Sequence, residues 1–194
     1  MRETPRLQTG RLVVALVQPG MGQALLALQR DNAGHFQPWD PPSPPGASEP
    51  AYWQEYALRS QHDFENGSAV RLALFTRDDS SQIIGTATYS QLSRGPFQAA
   101  MLGYRIAKAF EGKGYMQEAL QATLQYAFDE LRLHRIHANY MPENLRSGNL
   151  LARLGFTIEG FARNYLYING AWRDHVLTSL TNQAYRTEWL MPGA

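Results

Sequence analysis

The sequence predicts a mixed α/β fold, with a central, mixed but mostly antiparallel sheet of six to seven strands flanked by helices. Three strand-like segments joined by short turns, between residues 69 and 107, indicate an antiparallel meander. Strand and helix patterns then alternate, which is typical of a mixed sheet with helices on its faces. A chain of 194 residues with 44% hydrophobic content suits one core, so we expect a single domain over residues 1–194.

The N-terminal elements follow from local patterns. The β-branched run 11–17 predicts a strand that ends at a Pro-Gly turn, and 23–30 has helical spacing. Segment 35–50 contains six of the eleven prolines and is predicted to be a loop, because proline has no backbone donor. Trp39 in this loop either forms a lid or substrate wall or covers a core edge. A helix is predicted for 52–66.

The remaining elements complete the sheet. Predicted strands and helices are arranged as a meander followed by two helix-and-strand units. The strands cover 69–76, 82–92, 100–107, 134–140, a stretch from 156 onward and 172–181, and the helices cover 115–131 and 144–154. With the first strand, this arrangement accounts for the predicted sheet.

Composition excludes several classes of function. The chain has no cysteine, which excludes disulfides, thiolate nucleophiles and cysteine zinc sites. A net charge of +1 does not indicate a nucleic-acid surface. No apolar run approaches a membrane span and no signal peptide is evident, so we expect a cytoplasmic protein that binds no membrane. His134 and His137 would point to opposite faces of a strand, so we expect no metal site.

The segment 110–116 carries the most specific chemistry. Gly112 and Gly114 lie between a predicted strand and a long helix, where converging N–H groups and the helix N-terminus would bind a pyrophosphate. A P-loop would need Ser or Thr directly after Lys113, and that position is Gly114. A dinucleotide fingerprint would need a third glycine at position 117, which is glutamine.

The paired glycines and a second motif resemble the GNAT superfamily of acetyltransferases. Residues 109–114 resemble its coenzyme A loop, although Ala109 stands where the family usually has Gln or Arg. Asn144, Ser147 and the Gly155-Phe156 turn resemble its second motif, in which the Asn and Ser contact the pantetheine arm. Asn144 and Gly155 also have an ordinary explanation, in which Asn144 caps a helix and Gly155 ends it. The presence of both motifs in the family's order favours the functional explanation.

The resemblance implies acetyl-coenzyme A (acetyl-CoA) as cosubstrate and no metal. It implies a binding set made of a strand end, the glycine loop and the second-motif helix. These residues are Ile106, Ala107, Glu111, Gly112, Lys113, Gly114, Tyr115, Met116, Asn144 and Ser147. Backbone N–H groups around Ile106 and Ala107 are expected to hold the acetyl group and pantetheine, on a strand splayed from its neighbour.

Almost the whole chain resembles the RimJ-type ribosomal-protein alanine N-acetyltransferases. The similar stretches are 7–14, 37–39, 102–104, 134–142 and 172–178. The resemblance implies that the acceptor is the α-amine of a peptide or protein N-terminus, such as a ribosomal protein. Two alternatives stay open at this point: an acetyltransferase for a small-molecule amine, and a non-catalytic acyl-CoA sensor. No oligomeric state is indicated.

The catalytic groups are less evident than the binding groups. Asn139 occupies the position at which related α-amine acetyltransferases often have a Glu, and Leu151 that of a Tyr acid. A water held by Asn139, Tyr104 or a backbone carbonyl is one possible proton relay. Ser147 is the candidate for a hydrogen bond to the departing sulfur.

Overall fold

One eight-stranded sheet organises the protein, which is described here for residues 3–190 of a computed structural model. The strands are β1 (Arg6–Gln8), β2 (Leu12–Leu16), β3 (Val70–Thr76), β4 (Gly85–Ser93), β5 (Ala99–Ile106), β6 (Arg135–His137), β7 (Thr157–Ile168) and β8 (Ala171–Thr181). They lie in the order β1-β2-β3-β4-β5-β6-β8-β7, and among these described strands only the neighbours β5 and β6 run parallel. The predicted mixed, mostly antiparallel sheet is confirmed.

The sheet has one strand more than the sequence predicts. The additional strand is β1, which pairs antiparallel with β2 through Arg6↔Ala15 and Gln8↔Val13. Three residues are too few to show an alternating pattern, so only the pairing with β2 reveals this strand. The predicted strand 134–140 is shorter than expected, because β6 covers only Arg135–His137.

Five helices accompany the sheet within the described residues. They are α1 (Gly22–Asp31), α2 (Ala33–Phe36), α3 (Pro50–Glu65), α4 (Tyr115–Asp129) and α5 (Leu145–Arg153), with short 3-10 turns at Lys108–Phe110 and Thr187–Leu190. The proline-rich segment is mostly irregular, as predicted, although α2 extends into its first residues. Pro50 begins α3, where its missing N–H leaves no helical bond unmade.

The helices cover both faces of the sheet. Alternate residues of β2 point to opposite faces, with Leu12 and Val14 on one side and Val13 and Ala15 on the other. The first face packs against a cluster that includes residues of α4 and α5, and the second packs mainly against α1 and α3. We call these the α4 face and the α1 face. None of the helices in residues 3–190 has the length and apolar character needed to cross a bilayer.

Candidate functional site

A wedge-shaped gap opens in the middle of the sheet. The parallel ladder between β5 and β6 ends at the pair Met101↔His137. Beyond it, residues 138–140 stay with β8, because the Ala138 N–H donates to the Thr178 carbonyl at 3.1 Å and Tyr140 bridges to β8. β5 continues to Ile106 beside β4 alone. The two central strands therefore diverge, as the sequence resemblance implied.

Within residues 3–190, the edge of β5 that lines the gap carries backbone groups without a strand partner. The Ala107 N–H donates to the Ile84 carbonyl at 2.8 Å, toward β4. Because antiparallel strands alternate the direction of their backbone groups, Ile106 and Tyr104 direct theirs toward the gap. The expectation that Ala107 offers its N–H to a ligand is therefore not met, and the donor next to Ile106 is Tyr104.

The two glycines shape the loop that the sequence predicts to be a phosphate cradle. Gly112 and Gly114 adopt φ values of 71° and 77°, which glycine reaches without steric cost. The N–H groups of residues 112–117 have no acceptor within residues 3–190, and the first helical bond of α4 is that of Glu118 to the Gly114 carbonyl. Six consecutive donors at the positive end of a 15-residue helix are an arrangement that can bind an anion.

The predicted residues around the glycines contribute in different ways. The Lys113 ammonium lies 5.4 Å from the centre of the Phe110 ring, which holds it beside the loop. The Met116 side chain is buried in the α4-face core and the Tyr115 side chain packs against it. Both residues therefore contribute to the cradle through their backbone N–H groups and not through their side chains.

Glu111 differs from the prediction. Its N–H donates to the Lys108 carbonyl at 3.2 Å, so it does not join the cradle donors. Its carboxylate lies 3.3 Å from His35 Nε2 and accepts a hydrogen bond from the Arg146 guanidinium. Because a carboxylate repels phosphate, Glu111 is better described as a link between the cradle, α2 and α5 than as a ligand to acetyl-CoA.

The cradle is tied to the N-terminal strands by a network that the sequence does not predict. Glu118 accepts hydrogen bonds from the Thr9 hydroxyl at 2.6 Å and from the Arg11 N–H at 2.8 Å. The Arg11 guanidinium also contacts Glu118 at 2.7 Å, donates to the Lys113 carbonyl at 2.9 Å and lies over the Tyr115 ring. Arg11 and Glu118 are 107 residues apart in the chain, so no local sequence pattern predicts their contact.

Helix α5 forms a second wall of the gap. Asn144 caps it by accepting a hydrogen bond from the Ser147 N–H at 3.1 Å. The Ser147 hydroxyl is hydrogen-bonded to the Tyr104 hydroxyl at 2.8 Å, which joins α5 to β5 across the gap. A Cβ at Gly148 would lie 2.7 Å from the Tyr140 ring, so the absence of a side chain at this position lets Tyr140 pack there.

Tyr104 remains neutral in this setting. Burial raises the pKa of Tyr104 to about 12, and the Tyr140 hydroxyl acts in the same direction, while the Ser147 hydrogen bond partly opposes the change. A neutral phenol donates a hydrogen bond but takes no proton from an amine. The pair Tyr104 and Ser147 thus supplies one free O–H donor on the α4 face of the gap.

Asn139 lies on the other wall, and its carboxamide is already engaged. Its Oδ1 accepts a hydrogen bond from the Thr178 N–H at 3.2 Å, and its Nδ2 donates to the Tyr165 hydroxyl at 3.1 Å. An amide held in this way is neither a general base nor a strong acceptor for a water. Tyr165 was not among the residues singled out from the sequence.

The α1 face bears a concave surface near the end of β5. A depression of about 480 Å³ is lined by residues of α1, α2 and the following turn, including Asp31, His35, Trp39 and Lys108. Trp39 is 38% exposed, so it forms a wall of this depression and does not seal the core. Among residues 3–190, no three His, Cys, Asp or Glu side chains are grouped to hold a metal ion.

Comparison with known proteins places this geometry in a family. A family model described as an acetyltransferase (GNAT) domain matches residues 11–157. The chain is also 46% identical over 176 residues to the [ribosomal protein uS5]-alanine N-acetyltransferase of Escherichia coli (strain K12), covering 91% of this chain and 90% of that protein. The chain belongs to the GNAT acetyltransferase family. It is an acetyl-CoA-dependent N-acetyltransferase.

Solved GNAT structures agree with this assignment. The ribosomal-protein-S5-alanine acetyltransferase of Vibrio fischeri superposes with a TM-score of 0.90 at 34% identity, covering 94% of this chain and 99% of that one. Mycobacterium smegmatis RimJ in complex with CoA-disulfide has a TM-score of 0.83 at 25% identity, covering 97% and 89%. The GNAT fold accounts for both the gap between β5 and β6 and the glycine cradle.

Proposed function

We propose that this N-acetyltransferase acetylates the α-amine of a protein chain that begins with alanine, and that its natural substrate is a ribosomal protein. The observation that carries the proposal is the 46% identity to the E. coli uS5-alanine enzyme, which extends over 91% of this chain. The substrate of that enzyme is therefore the first candidate here. Such a substrate implies a cytoplasmic location.

The shape and charge of the α1 face support a peptide acceptor. A small polyamine would call for a closed, acidic pocket. The depression near the end of β5 carries one acidic side chain, Asp31, together with His35 and Lys108. A mixed, open surface of this kind suits the first residues of a polypeptide.

We assign acetyl-CoA, the carrier of the acetyl group, to the α4 face of the gap. The N–H groups of residues 112–117 hold its diphosphate, the second-motif helix lies beside the pantetheine arm, and the Ile106 and Tyr104 backbone groups face the thioester. Asn144 contributes through its Nδ2, since its Oδ1 caps α5. Lys113 adds positive charge near the phosphates.

We assign the chemical step to hydrogen bonding and positioning. The acceptor amine forms a C–N bond to the acetyl carbon, the C–S bond breaks, the nitrogen loses one proton to water and the departing sulfur gains one. Ser147 and Tyr104 share one hydrogen bond, so the O–H of the pair that is left free donates toward that sulfur. Full proton transfer from a phenol with a pKa of about 12 to a thiolate, whose usual pKa is about 8.5, is uphill, so solvent completes the protonation.

An acetylation assay tests the substrate. Peptides of one sequence that differ only in their first residue (alanine, serine, glycine or methionine) are incubated with acetyl-CoA and examined by mass spectrometry. We expect acetylation of the alanine peptide at its α-amine and none of a peptide whose α-amine is blocked. Exclusive acetylation of spermidine would overturn the peptide assignment, and binding of acetyl-CoA without any transfer would point to a sensor.

A further inference from the structure

An irregularity in β7 turns one tyrosine out of the ladder. Between Ala162 and Leu166, three residues of β7 lie opposite the single residue Asp174 of β8. Asn164 has a φ of 50°, which asparagine tolerates better than most residues, and its N–H donates to Asp174 Oδ1 at 2.8 Å. Bulges of this kind re-aim side chains, often next to active sites. The residue re-aimed here is Tyr165.

Two contacts hold Tyr165 in place, one at its ring and one at its hydroxyl. Its ring lies 5.3 Å from that of the buried His175, and its hydroxyl accepts a hydrogen bond from Asn139 Nδ2 at 3.1 Å. The amide orientation of Asn139 is settled by its other contact, because Oδ1 accepts from the Thr178 N–H. Tyr165 nevertheless stays 37% exposed.

The hydroxyl therefore retains hydrogen-bonding capacity toward solvent. A phenol oxygen has one O–H and two lone pairs, and Asn139 occupies one lone pair. The second lone pair and the O–H remain for a ligand. A polar group that is oriented by the protein but partly exposed is suited to contact a substrate.

The position of Tyr165 relative to the gap indicates which ligand it meets. Ala138 and Tyr140 pack against the core of the α4 face, so Asn139, between them in an extended segment, points to the opposite face. Ser147 and Tyr104 meet on the α4 face. The carrier is assigned to that face, and the acceptor has to approach from the other.

We propose that the Tyr165 hydroxyl, oriented by Asn139, accepts a hydrogen bond from the acceptor α-amine and positions it against the thioester. This inference rests on the proposed function. It gives a substrate-binding role to the wall of the gap that contains Asn139, where related enzymes often have a glutamate. Tyr165 binds and orients the amine, and water takes the proton that the nitrogen loses.

Tyr165→Phe tests the contact, because it removes one oxygen and keeps the ring beside His175. We expect kcat/KM for the acceptor to fall about tenfold, mostly through KM, as for the loss of one hydrogen bond to substrate. Acetyl-CoA affinity, measured by titration calorimetry, should stay within about twofold of wild type, because the carrier binds elsewhere. Tyr167→Phe is the matched control on the same strand, since Tyr167 is 45% exposed and packs on Trp172.

A double-mutant cycle separates positioning from general damage. Asn139→Leu removes the group that orients the hydroxyl, so we expect the double variant Asn139→Leu/Tyr165→Phe to be no worse than the poorer single variant. Fully additive losses, or a Tyr165→Phe enzyme whose kcat/KM equals that of Tyr167→Phe, would overturn the proposal.

The kinetics use whichever amine the wild-type enzyme acetylates in the peptide and spermidine assay. If the alanine peptide is inert and spermidine reacts, the substrate assignment falls while the Tyr165→Phe comparison still decides the role of this hydroxyl. If neither amine reacts, both proposals fall.

Discussion

The hydroxyl groups of Tyr104 and Ser147 lie 2.8 Å apart and connect strand β5 to helix α5 across the gap in the sheet. The two residues are 43 positions apart in the chain. Each orients the other, so the pair acts as one hydrogen-bonding unit on the side of the gap that we assign to the thioester.

We predict that Ser147→Ala and Tyr104→Phe each lower kcat about tenfold, since each removes about 1.4 kcal/mol of stabilisation of the developing thiolate. The losses should not add in the double variant, because both changes break the same unit. Steady-state kinetics measure the effect, and calorimetry should show an acetyl-CoA affinity within about twofold of wild type. Unchanged turnover in Ser147→Ala would remove that hydroxyl from the mechanism.

The pH profile should have one rising limb. A peptide α-amine with a usual pKa of about 7.7–8.0 becomes nucleophilic as pH rises through that range, so kcat/KM should increase and then level off. Burial raises the pKa of Tyr104 to about 12, so its O–H persists well above this range and is lost only near that value. Stopped assays of the wild type from pH 6 to 10 should therefore show no falling limb, and a falling limb in the wild type that disappears in Tyr104→Phe would contradict this view.

Gly112→Val should abolish measurable acetyl-CoA binding. The site of a Cβ at Gly112 is open, and a branched side chain there would occupy the space in front of the cradle N–H groups. Gly95→Val is the control, because Gly95 has a similar φ of 66° and open surroundings but lies in the turn between β4 and β5. Equal loss of affinity in both variants would attribute the effect to backbone strain and not to a blocked phosphate site.

Glu118→Gln should destabilise the fold in a pH-dependent way. Burial alone would raise the pKa of Glu118, but hydrogen bonds from Thr9 and Arg11 outweigh it and lower the pKa. The stabilisation is therefore present above the usual carboxyl pKa of about 4.3 and is lost as pH falls through the lower folded value.

Urea unfolding tests this assignment. We expect Glu118→Gln to lose about 1–2 kcal/mol at pH 7 and to approach wild type near pH 3. Glu55→Gln, at an exposed pair with Arg59, is the control and should change stability by less than about 0.5 kcal/mol. A loss in Glu118→Gln that is the same at both pH values would refute the assigned ion pair.

Gly148→Ala should lower turnover through Tyr140. A Cβ at position 148 would lie 2.7 Å from the Tyr140 ring, which then has to move within the gap. We expect kcat to fall at least about tenfold, because small displacements near the reacting atoms are costly. Gly160→Ala, with open space around its Cβ, should behave as wild type, and the double variant Gly148→Ala/Tyr140→Leu should recover part of the loss.

The sequence by itself determined the features whose physics is local. Gly112 and Gly114 flank a turn that requires positive φ, and the helix that follows has a periodic apolar face, so the cradle was predictable without knowledge of the fold. The cap at Asn144 follows from the same kind of reasoning. Most helices and strands were predicted for the same reason, and the three-residue strand β1 was too short for any pattern.

Only the tertiary structure decided which groups meet and which are already engaged. Glu118 reaches Arg11 across 107 positions, and Asn139 reaches Tyr165 across 26 positions through a bulge. The Ala107 N–H is occupied by the Ile84 carbonyl, and the Glu111 carboxylate contacts His35 and Arg146 from two other helices. Such contacts depend on the pairing of strands and the packing of helices, and a side chain's identity does not reveal which partner will satisfy it.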